Sequence, residues 1–100
     1  MLEDPQVQEL TRQITAEVMP SSGVVEILSE PMVDFDGREV LRITLVLTDE
    51  AAKTFSGDQA VTLLNDLRDS LLREGDERFP LIYYMTESDR AEGDLEDDED

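Results

Sequence analysis

The chain has 100 residues, 26 carboxylates against 8 basic side chains, a net charge of −18, and no Cys, His or Trp. That length supports one small domain with a modest core. The missing residue types exclude disulfides, thiolate nucleophiles, cysteine-ligated zinc and imidazole acting as general base or metal ligand.

Asp4-Pro5 reads as an N-cap followed by proline in the first helical turn. Val7, Leu10, Ile14 and Val18 then recur at helical spacing until Pro20, which predicts a first amphipathic helix. Ser21-Ser22-Gly23 interrupts that period, and Val24-Val25-Glu26-Ile27-Leu28 is rich in β-formers, predicting a strand that ends near Pro31.

Asp34-Phe35-Asp36-Gly37-Arg38 carries a hairpin turn signal, because glycine accepts the positive φ such turns demand. Residues 24 to 47 are therefore expected to form a hairpin. In its second strand Leu41, Ile43, Leu45 and Leu47 alternate with Val40, Arg42, Thr44 and Val46, the period of two that puts one set on a core. The fragment Asp34-x-Asp36-Gly37 is also calcium-like, but with Gly37 at the glycine position of an EF-hand, Ile43 falls where the bidentate glutamate belongs. No metal site is assigned.

Thr48-Asp49-Glu50 caps a short helical turn ending at Gly57, and Ser56-Gly57-Asp58-Gln59 has the spacing of a capping box. A long helix follows, with Ala60, Val61, Leu64, Leu67, Leu71 and Leu72 as its apolar stripe and Gly75 as its stop. After Arg78-Phe79-Pro80 the run Leu81 to Thr86 reads as a last strand. The fold class is thus α+β in the order α-β-β-α-α-β, a three-stranded sheet with helices on one face, over residues 1–86. Residues 87–100 hold nine acids, one base and two apolar side chains, the composition of a disordered acidic tail.

This element order resembles the type II KH and BolA-like topologies. The KH resemblance implies a nucleic-acid clamp built on a basic Gly-x-x-Gly loop between the paired helices. Here that loop reads Thr54-Phe55-Ser56-Gly57-Asp58-Gln59, with one glycine and an acid, and the histidine a BolA-like protein would use is absent. Neither function carries over.

No Gly-rich run follows a strand, so phosphate-cradling and dinucleotide motifs are missing and no cofactor is assigned. The negative charge disfavours nucleic acid and anionic membranes and favours a basic protein partner. The two acids near the amino terminus and the short apolar runs read as a soluble, cytoplasmic chain. With the helices on one side, the other sheet face is expected to display Val40, Arg42, Thr44 and Val46 from strand two and Ile82 and Tyr84 from strand three, leaving Leu81, Tyr83 and Met85 for the core. That face is read as partner-binding in a small acidic, non-catalytic interaction protein of antitoxin, inhibitor or accessory-subunit type, with homodimerisation through the face as a further option. The alternatives are a small enzyme using carboxylates or a metal, and a degenerate KH-like RNA-binding module.

Overall fold

The computed structural model describes residues 2–91. Helix α1, Asp4–Val18, starts one residue earlier than the Asp4 cap reading: Glu3 is the N-cap, its N–H donating to Gln6 Oε1 at 2.9 Å, with Pro5 inside the first turn. The helix buries Val7, Thr11, Ile14 and Thr15. Both threonines satisfy their hydroxyls within the helix, Thr11 donating to the Val7 carbonyl at 2.7 Å and Thr15 to that of Thr11 at 2.6 Å, so polar atoms enter the core with their hydrogen bonds made.

A 3-10 turn at Ser21–Gly23 leads into β1, Val24–Val33, which runs through Pro31. Gly23 is needed there, since a Cβ would sit 2.7 Å from that of Ala51. The Asp34–Arg38 turn returns the chain into β2, Glu39–Leu47, antiparallel to β1. Gly37 takes φ +85°, and Asp34 Oδ1 accepts the N–H groups of Asp36 and Arg38, both at 2.9 Å. The carboxylate of the calcium-like fragment is therefore occupied by the turn itself.

Helix α2, Asp49–Thr54, is capped by the Thr48 hydroxyl, and α3, Gly57–Arg73, by the reciprocal Ser56 and Gln59 box. Gly57 opens α3 instead of closing α2. The buried stripe of α3 is Leu63, Leu67 and Leu71, while Val61 and Leu72 are exposed, so the apolar face lies turned from the one the sequence pattern picks out. Two apolar residues, Leu63 and Leu64, are adjacent, and only packing selects between them. The helix closes with a Schellman arrangement in which Asp76 N–H reaches the Leu71 carbonyl at 2.8 Å and Gly75 N–H that of Leu72 at 3.1 Å, Gly75 having φ +84°.

Strand β3, Phe79–Thr86, pairs parallel to β2, and the sheet order is β1-β2-β3. The element lengths accommodate the parallel sense. Seventeen residues of α3 span roughly 25 Å, close to the nine residues of β2 at about 3.3 Å each, so the helix returns the chain to the end where β2 began. Helices α1 and α3 pack on one face over Ile27, Leu41, Ile43, Leu45 and Leu47, giving the α+β architecture and element order expected. No helix among the described residues is long and apolar enough to cross a membrane.

Of the acidic tail expected over residues 87–100, the structure describes the first five residues. Residues 87–91 form a helical turn capped by Thr86, whose hydroxyl accepts the Asp89 N–H at 3.0 Å. Ser88 donates to Asp49 Oδ2 at 2.6 Å, and Arg90 pairs with Glu26. The rest of that tail lies outside the described residues.

Candidate interaction surface

The sheet face away from the helices is set out by the two registers. Its rows are Glu26–Val46–Met85, Leu28–Thr44–Tyr83, Glu30–Arg42–Leu81 and Met32–Val40–Phe79. Leu28, Met32 and Phe79 are each about two-fifths exposed, and Tyr83 is half exposed, at 50%. Arg42 stands among them. Its guanidinium lies 5.1 Å from the centre of the Tyr83 ring and 3.5 Å from Glu30 Oε1, so this cation in the middle of the face is held by an aromatic face and a carboxylate. The Arg90–Glu26 pair crosses the end row, beside Val46.

The six residues expected on this face divide into three groups. Arg42 and Thr44 are there and accessible. Val40 and Val46 are there but only 5% and 0% exposed, because the central strand is hemmed in by Met32 and Phe79 at one row and by Glu26 and Met85 at the other. Ile82 and Tyr84 are on the opposite, helix-covered face: Ile82 packs against the core, and the Tyr84 ring lies 4.8 Å from that of Phe55. Tyr84 stays 37% exposed, and its partial desolvation pushes the phenol up to about 12.

The expected facing of β3 is thus inverted, with Leu81, Tyr83 and Met85 on the open face. The reason lies before the strand. Asp76 and Arg78 are fastened in the loop, Pro80 is buried opposite Leu41, and these set the phase of every later side chain. Leu81 to Met85 is apolar or aromatic at every position, so alternation alone carries no phase. Leu28 and Met32 were also missed, although the Asp34–Arg38 turn dictates their register with β2 by counting.

At the opposite end of the hairpin from its turn, Asp49 has its carboxyl held below the usual range, first by the hydrogen bond from Ser88. Among the described residues, no group of three or more acidic side chains is placed to hold a metal ion. No family model matches the chain, and no curated protein or solved structure matches it.

Proposed function

We propose that this chain is a small, non-catalytic cytoplasmic interaction protein whose open sheet face docks a basic protein partner, in the manner of an antitoxin, inhibitor or accessory subunit. The observation that carries the reading is the exposed group Leu28, Met32, Phe79 and Tyr83 gathered around Arg42 on one uncovered face. Accessible aromatic and arginine side chains are the residue types enriched at binding hot spots. The net charge of −18 supports a partner of opposite sign, because it speeds encounter with a basic surface and repels acidic competitors.

The test is capture of a stoichiometric basic protein from the native host lysate by the full chain, at low and high salt. Tyr83→Glu should abolish capture while leaving the circular dichroism intact, and added salt should weaken it. Equal capture by Tyr83→Glu and wild type overturns the reading.

A further inference from the structure

A groove of about 770 Å³ lies at the hairpin-turn end of the sheet, where Val40, Phe79 and Leu81 meet Leu72 of α3. At its lip stands Phe35, 100% exposed. Nothing in the fold needs an aromatic side chain there, since the turn is held by backbone and Asp34 contacts alone. Those contacts are extensive: Asp34 N–H donates to the Arg38 carbonyl at 2.9 Å, Gly37 N–H to that of Asp34 at 3.0 Å, and the Asp34 carboxylate accepts two more N–H groups. Phe35 is therefore a projecting apolar knob on a well-braced turn, beside an apolar hole.

The charges at this end differ from those of the whole chain. The groove is lined by Arg38, Arg68 and Arg78 and by Asp34, Glu39 and Glu77; with Arg78 already paired to the buried Asp76, two bases face three acids, on a chain of net −18. Arg68 stacks on Phe79 with its guanidinium 5.3 Å from the ring centre. Among the described residues neither Arg38 nor Arg68 has a carboxylate within salt-bridge distance. Two like-charged copies repel over most of their surface, but here each presents bases free to meet the other's acids.

We infer that this end of the molecule is the interface of a two-fold homodimer, Phe35 of each copy entering the groove of the other beside Leu72, Phe79 and Leu81. A knob and a hole on the same end of one chain satisfy each other reciprocally about a two-fold axis and close the assembly at two copies. The groove shares Phe79 with the partner-docking face but turns on Phe35 and Leu72, which lie outside that face, and its salt dependence has the opposite sign. Screening relieves the repulsion between two acidic copies and tightens the dimer, whereas it weakens attraction to a basic protein.

Sedimentation equilibrium of the full chain over a range of concentrations, in low and high salt, tests the inference. The expected result is a monomer–dimer equilibrium with no larger species, tighter in high salt. Phe35→Asp and Leu72→Asp should each weaken it by about 30-fold or more, the scale of a hot-spot loss. Both side chains are at least half exposed, so the circular dichroism should not change. An equimolar mixture of the two variants retains one intact knob-and-hole contact and should associate more tightly than either alone. Tyr83→Glu should leave the dimer unchanged, which separates this interface from the docking face. A chain that stays monomeric under all conditions, a dimer indifferent to Phe35→Asp, or a mixture no tighter than its components overturns the proposal.

Discussion

Asp76 and Arg78 form a forked ion pair, Arg78 Nη2 to Asp76 Oδ2 at 2.6 Å and Nε to Oδ1 at 2.9 Å, with side-chain exposures of 0% and 8%. Both partners also hold the same distant residue. Leu2 N–H donates to Asp76 Oδ2 at 3.2 Å, and Arg78 Nη2 donates to the Leu2 carbonyl at 2.7 Å, so the pair ties the start of α1 to the loop before β3. It also fixes the phase in which β3 begins.

Removing one partner leaves the other charge buried without compensation, which typically costs about 3–5 kcal/mol. Arg78→Met is accordingly expected to lower unfolding stability by that amount in urea titration. Arg78→Lys keeps the charge but loses the fork, and should fall between wild type and Arg78→Met.

The same pair sets a pH dependence. The Arg78 hydrogen bonds hold the Asp76 carboxyl down at about 2 from an ordinary 3.8. A depressed folded-state value means the unfolded chain binds the proton more readily. The stabilisation, roughly 2 kcal/mol, is present above about pH 4 and is lost as the pH falls toward 2. Comparing wild type with Asp76→Asn between pH 6 and 2 isolates it, because acid also relieves the repulsion among the remaining carboxylates in both proteins. The stability difference between the two should shrink across that window.

The orientation of α3 can be checked with two alanine substitutions. Leu63→Ala removes a 0% exposed side chain of the core and should cost about 2–5 kcal/mol, whereas Val61→Ala, at 58% exposure, should change stability by less than about 0.5 kcal/mol. Chemical denaturation of the two variants reads the difference directly.

Strand β3 offers a spectroscopic check. The chain has two tyrosines and no tryptophan, so Tyr83→Phe leaves Tyr84 as the sole phenol. Its absorbance titration should be centred near 12, as partial desolvation against Phe55 requires, and stability should decline as the pH rises above 10. A midpoint at the ordinary value of 10 would show that the contact with Phe55 does not desolvate the phenol.

Legibility along the chain followed the amount of contrast in each segment. In β2 the leucines and Ile43 alternate with Arg42 and Thr44, and that contrast identifies the core face without ambiguity. Ser56 and Gln59 mark the start of α3 by local hydrogen bonding alone, and the Asp34 to Arg38 turn is equally self-contained. In β3, Leu81 to Met85 offers no contrast between its two faces, and Tyr84 was assigned to the wrong one. Asp76 is one of 26 acids, and nothing local marks it as the one to be buried.

The amino-acid sequence by itself determined the element order, the hairpin, the helix starts and the acidic charge, because caps, turns and strong periodicities act over a few residues. The tertiary structure alone decided the parallel pairing of β3, its facing, the choice of Leu63 over Val61, and the meeting of Phe35 with the groove below it. Those depend on contacts between residues far apart in the chain, such as Leu2 with Asp76 and Leu41 with Pro80, whose energies no local pattern contains.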